Sequence, residues 1–209
     1  MVLEQIEARG VHDKRVLAAM HSVPRHRFVP EQDLRYAYSD YPLPIGYHQT
    51  ISQPYIVAYM CELAQLHEFD KVLEVGTGSG YNAAIMAQIV EHVYSIEIVA
   101  ELARRARETI TGLHYDNISI RHGDGYDGWK EAAPFDAIIV TAAAAHIPEP
   151  LIEQLVDGGR LVIPLGTPYM NQVLLLVEKV GEELIITDKL PVRFVPLTGR
   201  HGHGIPTTD

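Results

Sequence analysis

The feature that most constrains the fold of this chain is a regular alternation of short apolar strands and helical segments that begins at residue 71. The strand pattern KVLEV (71–75) runs into the glycine-rich turn GTGSG, and the helical segment YNAAIMAQIV follows. Further strand patterns come later in the chain: HVYSIEI, ISIRHG, FDAIIVTA and GRLVIPLG. Strands that alternate with helices predict a mostly parallel sheet with helices on both faces.

The last two strand patterns are consecutive. NQVLLLVEKV and ELIITDKLPVRFVPL are joined only by GEE, which predicts an antiparallel hairpin that closes the sheet. All seven patterns together predict an α/β fold with a doubly wound, mostly parallel, seven-stranded sheet.

The N-terminal part of the chain lacks this alternation. Residues 2–22 have apolar positions at helical spacing and predict two short helices, whereas residues 38–53 are rich in Tyr, Pro and Gly and show no clean period. Pro54 suits the first turn of a helix, which we expect to reach about Leu66. We therefore expect a single domain (1–209) with three parts: N-terminal helices and an irregular functional loop (1–53), a core (54–199) and a weakly ordered tail (200–209).

Charge and composition exclude several classes of function. The formal net charge of −10 makes nucleic acid an unfavourable partner. No apolar run approaches the ~18 residues that a membrane span needs. The lone cysteine, Cys61, allows no internal disulfide, which suits a reducing cytoplasm. We interpret Cys61 as a buried packing residue, because no activating neighbour accompanies it.

The turn after the first strand of the core has the features of a nucleoside site. Gly76, Gly78 and Gly80 allow a tight turn and a close approach of the backbone to a ligand. Glu97 ends the next strand about 20 residues later, where a carboxylate can accept both ribose hydroxyls. This order of elements predicts a cofactor that contains a nucleoside.

Two residues favour S-adenosylmethionine over a dinucleotide. Tyr81 stands where a dinucleotide fingerprint needs a small residue, and Glu74 places a carboxylate beside the loop. A carboxylate there disfavours a pyrophosphate and favours an aminoacyl ammonium. The alternative is that Glu74 only hydrogen-bonds the loop. Asp124 and Gly125, after the third strand, are interpreted as an adenine-binding turn, with an ordinary Asp-Gly turn as the alternative.

These segments resemble the protein-L-isoaspartate O-methyltransferases. The resemblance covers residues 15–199 and rests on VLEVGTGSGY, QTISQPYIVA, GDGYDGW, APFDAIIVTAAA, LVDGGRLVIPLG and VRFVPLTG. It implies a Rossmann-like, S-adenosylmethionine-dependent methyltransferase fold with extra N-terminal elements and an altered order of the final strands. It also implies methyl esterification of the free α-carboxylate of L-isoaspartyl residues in damaged proteins, with repair through a succinimide.

The resemblance also assigns roles to individual residues. Ser52 matches the active-site serine of the family. The positions that match its cofactor site are Thr50, Ile51, Gly76, Gly78, Glu97, Asp124, Gly125 and Thr198. The chain departs from the family at Ala145 and His146, where relatives often carry proline and an apolar or acidic residue.

Ser52 could be a nucleophile, a helix cap or a group that holds the substrate. A carboxylate is already ionised near pH 7, so its methylation needs no general base. One neutral hydroxyl can bind one carboxylate oxygen and leave the other free to attack. We therefore expect Ser52 to orient the substrate, with a cap as a further structural role. His48 is close in sequence and is interpreted as a loop histidine.

The alternative function is another S-adenosylmethionine-dependent carboxyl or small-molecule methyltransferase. Three rival classes are disfavoured. A nucleic-acid methyltransferase is disfavoured by TAAAA after the fourth strand, a nicotinamide dehydrogenase by Tyr81 and Glu74, and a binding module without activity by the intact Ser52, Glu97 and Asp124. His201 and His203 lack a third ligand and predict no metal site. Four tyrosines could line a peptide groove or pack the irregular segment: Tyr36, Tyr38, Tyr41 and Tyr47. The expected partners are proteins and peptides that contain isoaspartyl residues, and the expected state is a monomer.

Overall fold

A computed structural model describes residues 1–167 and 171–200, and within these residues the centre of the fold is a seven-stranded sheet. Its strands are β3 (Lys71–Val75), β4 (His92–Glu97), β5 (Ile118–His122), β6 (Phe135–Val140), β7 (Leu155–Leu165), β8 (Gln172–Val180) and β9 (Glu183–Val192). They lie in the order β5-β4-β3-β6-β7-β8-β9. The first five of these are parallel, and β8 and β9 are antiparallel to their neighbours. The predicted sheet and its closing hairpin are confirmed.

Helices cover both faces of the sheet. They are α1 (Lys14–Ser22), α2 (Pro54–Ala64), α3 (Tyr81–Ala87), α4 (Ala100–Gly112) and α5 (Glu149–Glu153). Alternation along β3 divides the core: Val72 packs in the cluster that includes α1 to α4, and Leu73 packs in the cluster that includes α5. Both side chains are fully buried, and burial of an aliphatic side chain stabilises a fold by about 1.5–3 kcal/mol. Among the described residues, no helix combines the length and the apolarity needed to cross a membrane.

The N-terminal part begins with a π-helical turn (Val2–Ile6) and a 3₁₀ turn (Glu7–Arg9). Helix α1 follows, and the Asp13 carboxylate caps it by accepting hydrogen bonds from the backbone N–H groups of Arg15 and Val16. Two more 3₁₀ turns lead towards the site: Arg25–Phe28 and Glu31–Tyr36.

The segment predicted to be irregular, 38–53, contains a short antiparallel hairpin. Strands β1 (Leu43–Gly46) and β2 (Gln49–Ile51) pair across a two-residue turn. Both turn residues, Tyr47 and His48, have positive φ (55° and 56°), which is the geometry of a type I′ turn. The hairpin places Ser52, which follows Ile51, near the carboxyl ends of β3 and β4.

Three element boundaries differ from the prediction. Helix α3 ends at Ala87, three residues before the predicted end. The segment PEPLIEQLV (148–156) has a helical pattern, but helix α5 ends at Glu153 and β7 begins at Leu155, which pairs with Phe135. Strand β9 ends at Val192, and the chain beyond it leaves the edge of the sheet to cross the carboxyl end of β6.

Candidate active site

The site lies where the order of strands reverses. β3 has β4 on one side and β6 on the other, and their connections run in opposite directions away from β3. Open α/β sheets bind ligands in the crevice at the carboxyl ends of such strands. The glycine-rich turn, Glu97 and Thr141 all lie at this end.

A cavity in this crevice brings together most of the residues that the sequence predicts. Eight of the eleven predicted site residues line it: Thr50, Ile51, Ser52, Gly76, Gly78, Glu97, Gly125 and Thr198. The remaining three, Glu74, Gly80 and Asp124, lie outside its lining. The lining residues that were not predicted include Tyr81, Asn82 and Thr141.

Gly76 and Gly125 line the cavity at positions where a side chain would collide with the protein itself. Gly76 has φ 100°, and a Cβ there would collide with the hydroxyl of Thr141. That hydroxyl donates to the Gly76 carbonyl at 2.6 Å and fixes the turn. A Cβ on Gly125 would collide with the side chain of Val75. The backbone at both positions therefore requires glycine.

Gly80 has a different role. It is the N-cap residue of α3 with φ 87°, and a Cβ there would meet Ala106 and Ile110 of α4 at 3.5 and 3.4 Å. Its contacts are with the packed helix and not with the cavity. A glycine in this position allows close packing of the helix and the turn.

The Glu97 carboxylate is placed at the floor of the cavity. One oxygen accepts the backbone N–H of Gly78 at 2.7 Å, and the other accepts the N–H of Val99 at 2.9 Å. Burial raises the pKa of Glu97, and these two hydrogen bonds oppose the rise. Each carboxylate oxygen still has a lone pair for a ligand hydroxyl.

Glu74 lies beneath the glycine-rich turn. Its side chain is fully buried, accepts a hydrogen bond from the Asn82 amide at 2.9 Å and shares another with the Ser95 hydroxyl. Burial raises the pKa of Glu74 to about 8. The alternative considered from the sequence was that Glu74 hydrogen-bonds the loop, but its two partners lie on α3 and β4.

Asp124 holds the C-terminal segment against the site. One carboxylate oxygen accepts the backbone N–H of Tyr126 at 3.0 Å, and the other accepts that of Arg200 at 2.7 Å. The same segment is fixed to Ala143 through backbone hydrogen bonds of Val195 and Leu197, both 2.8 Å. This brings Thr198 onto the cavity wall.

Ser52 lies between β2 and α2, at the rim of the cavity. Within residues 1–167 and 171–200, its hydroxyl has no hydrogen-bond partner. The N-cap residue of α2 is Gln53, and no side chain caps that helix, so the predicted capping role of Ser52 is wrong. Its hydroxyl is therefore available to a ligand in the cavity.

Arg25 is the residue near Ser52 that the sequence did not reveal. Its guanidinium donates to the Ser52 carbonyl at 2.7 Å and to the Ala37 carbonyl at 2.8 Å, and it lies 4.7 Å from the ring of Tyr81. The residue is fully buried, and burial lowers its pKa. A buried cation thus links the Ser52 segment to the helix that follows the glycine-rich turn. The segment VPRHRFVP has two arginines between its prolines, and nothing in this pattern distinguishes Arg25 from Arg27.

Other predicted features lie away from the cavity. His48 is exposed in the hairpin turn, and Cys61 is fully buried, where burial raises the pKa of its thiol. His146 shares a hydrogen bond of 3.0 Å with the Tyr126 hydroxyl. The four tyrosines of the irregular segment are exposed and do not line the cavity. His201 and His203 lie outside the described residues, and among the residues that are described no cluster could hold a metal.

Comparison with known proteins decides the family. The family model for protein-L-isoaspartate(D-aspartate) O-methyltransferase matches residues 1–202. The chain belongs to this family. A protein-L-isoaspartate O-methyltransferase of Picosynechococcus sp. is 56% identical over 204 residues, which are 98% of this chain and 90% of the relative. One of Opitutus terrae is 56% identical over 198 residues, or 95% of this chain and 85% of the relative.

Solved structures agree with this assignment to the methyltransferase family. A protein-L-isoaspartate O-methyltransferase superposes with a TM-score of 0.88 at 31% identity, covering 97% of this chain and 67% of the other. A Plasmodium falciparum protein assigned to the same activity, in complex with S-adenosyl-L-homocysteine, gives a TM-score of 0.81 at 30% identity, with 94% and 96% coverage. The expected family, fold, enzyme class and S-adenosylmethionine dependence are confirmed.

Proposed function

We propose that this methyltransferase transfers the methyl group of S-adenosylmethionine to the free α-carboxylate of L-isoaspartyl residues in damaged proteins and peptides. The backbone nitrogen that follows then attacks the ester carbonyl, which releases methanol and forms a succinimide, and hydrolysis of this ring returns some normal aspartyl linkages. The observation that carries the proposal is the position of the Thr50–Ser52 segment. It lies on the wall of the same cavity as the glycine-rich turn and Glu97.

The residues around the cavity fit an adenosyl cofactor. The backbone of Gly76 and Gly125 lines the cavity without a side chain, and the Glu97 carboxylate lies where it can accept ribose hydroxyls. We propose that Thr50, Ile51, Gly78 and Thr198 complete this binding surface. S-adenosylmethionine supplies an electrophilic sulfonium methyl group, so the protein contributes mainly alignment.

Ser52 is proposed to hold the substrate. Its free hydroxyl donates one hydrogen bond to one carboxylate oxygen and leaves the second oxygen unhindered. No proton has to be removed, because the carboxylate is ionised near neutral pH. The Arg25 guanidinium fixes the Ser52 backbone through the carbonyl and stays buried, so its positive charge does not pair with the attacking oxygen.

We also propose that the protein acts as a monomer in a reducing compartment such as the cytoplasm, without nucleic-acid partners. The net charge of −10 supports the exclusion of nucleic acid. The free, buried thiol of Cys61 fits a reducing environment.

Substitution of Ser52→Ala tests the proposed mechanism. Hydrogen bonds to charged groups contribute about 1.5–3 kcal/mol, so we expect turnover to fall roughly 10- to 100-fold. Affinity for S-adenosylhomocysteine, measured by calorimetry, should stay within about twofold of wild type. The matched control is Ser22→Ala, an exposed serine at the end of α1. Near-normal turnover in Ser52→Ala, or a loss of cofactor affinity, would contradict the proposed role.

A further inference from the structure

A second groove shares a wall with the cofactor cavity. Thr50, Ser52, Thr141 and Val195 line both spaces, so the Ser52 hydroxyl lies at their junction. The groove has a volume of about 450 Å³ and continues along the end of β9. A peptide whose isoaspartyl carboxylate reaches Ser52 would place its neighbouring residues there.

The charged side chains that line this groove have one sign. Among residues 1–167 and 171–200, the ionisable side chains that line it are Arg9, Arg193 and Tyr55, and no aspartate or glutamate does. The chain as a whole has a net charge of −10, so this groove is a local exception. Clefts with low-dielectric walls and charges of one sign concentrate ligands of the opposite sign.

The two arginines differ in how far their charge is compensated. The Arg9 guanidinium pairs with the Asp40 carboxylate at 2.6 Å and lies 3.6 Å from the centre of the Tyr55 ring. Arg193 is exposed, and its side chain makes no hydrogen bond, ion pair or cation–π contact with any residue in 1–167 or 171–200. The free positive charge of the groove is therefore that of Arg193.

We infer that Arg193 is a specificity-determining residue that favours isoaspartyl segments with an aspartate or glutamate side chain next to the isoaspartyl residue. The inference rests on the proposed function. Arg193 lies along the groove, whereas the neutral Ser52 hydroxyl stands at its junction with the cofactor cavity. The guanidinium thus attracts the flanking carboxylate and does not mask the one that reacts.

The test uses isoaspartyl peptides that are acetylated and amidated, so that no terminal carboxylate contributes. Pairs of peptides carry Glu or Gln on either side of the isoaspartyl residue, and KM and kcat are measured for wild type, Arg193→Gln and Arg193→Lys. Exposed ion pairs are weak, so we expect wild type to show a KM about two- to fivefold lower for Glu than for Gln on one flank at low ionic strength. This ratio should fall towards one in high salt, because exposed charges are screened.

Arg193→Gln should lose the discrimination between Glu and Gln, and Arg193→Lys should keep most of it. Arg35→Gln is the matched control, because Arg35 is exposed, lies outside the groove and contacts Tyr36. A ratio that survives in Arg193→Gln would overturn the inference, as would an equal loss of kcat on both peptides. Failure of wild type to methylate any isoaspartyl peptide would instead refute the proposed function. Unchanged thermal unfolding of the variants separates these results from misfolding.

Discussion

The buried carboxyl of Glu74 makes a quantitative prediction about stability. Its pKa of about 8 in the folded protein lies well above the usual value of about 4.3 for an exposed glutamate. The folded protein therefore retains a proton that the unfolded chain releases between these two pH values. The stability contributed by this protonated carboxyl is complete below about pH 4 and is lost as pH rises through about 8.

The substitution Glu74→Gln removes this titration and keeps the shape of the side chain. The Gln amide can accept from Asn82 and donate to the Ser95 hydroxyl, which can turn its own proton towards Thr77, 2.5 Å away. Each pH unit between the two pKa values corresponds to about 1.4 kcal/mol. Between about pH 5 and about pH 8, we therefore expect wild type to lose roughly 4 kcal/mol of unfolding free energy relative to Glu74→Gln.

Urea unfolding of both proteins at several pH values in this interval measures the difference directly. Other titrating groups contribute equally to the two proteins, so the difference between their unfolding free energies gives the contribution of Glu74. Glu108→Gln, on the exposed surface of α4, is the control and should follow wild type. If Glu74→Gln lost stability with pH as steeply as wild type, the argument from burial would be refuted. The variant should also retain affinity for S-adenosylhomocysteine, because Glu74 lies outside the cavity lining.

Three further predictions concern the site. Gly76→Ala should reduce affinity for S-adenosylhomocysteine by at least about tenfold and lower the unfolding temperature. The backbone φ of 100° disfavours a side chain, and the added Cβ would collide with Thr141. Unchanged calorimetric affinity would contradict this. Glu97→Ala should weaken calorimetric binding of S-adenosylhomocysteine because its carboxylate lines the cavity, and Asp124→Ala should weaken it because Asp124 holds the segment that carries Thr198; unaltered affinity in both would disprove these roles. Arg25→Lys should lower kcat about tenfold with little change in cofactor affinity, because Lys cannot bind the Ala37 and Ser52 carbonyls together. In Arg25→Ala, added guanidinium should restore part of the activity.

Local sequence pattern predicted the features that are encoded by adjacent residues. The turn at Gly76 and Gly78 and the acidic end of β4 at Glu97 occupy the same cavity because parallel strands present their carboxyl ends at one edge. The closing hairpin followed from two long strand patterns with a short connection. In each case, the sequence pattern lies within the element that it predicts.

Features that depend on distant contacts were not predictable in this way. The turn of the first hairpin is Tyr47-His48, which lacks the Asn-Gly or Asp-Gly signature of a type I′ turn. Arg25 donates hydrogen bonds to backbone carbonyls 12 and 27 residues away. Every residue has a backbone carbonyl, so the sequence does not show which carbonyls Arg25 contacts. Glu74 stands beside the loop in sequence, but its side chain points beneath it, to partners on α3 and β4.

The most direct test of the proposed function compares two peptides that differ only in linkage, one with an L-isoaspartyl residue and one with a normal aspartyl residue at the same position. Wild-type protein with radiolabelled S-adenosylmethionine should transfer methyl groups to the isoaspartyl peptide and leave the aspartyl peptide near background. The label should be lost again in mild base, as expected for a methyl ester. Equal labelling of both peptides, or labelling of neither, would contradict the proposed function.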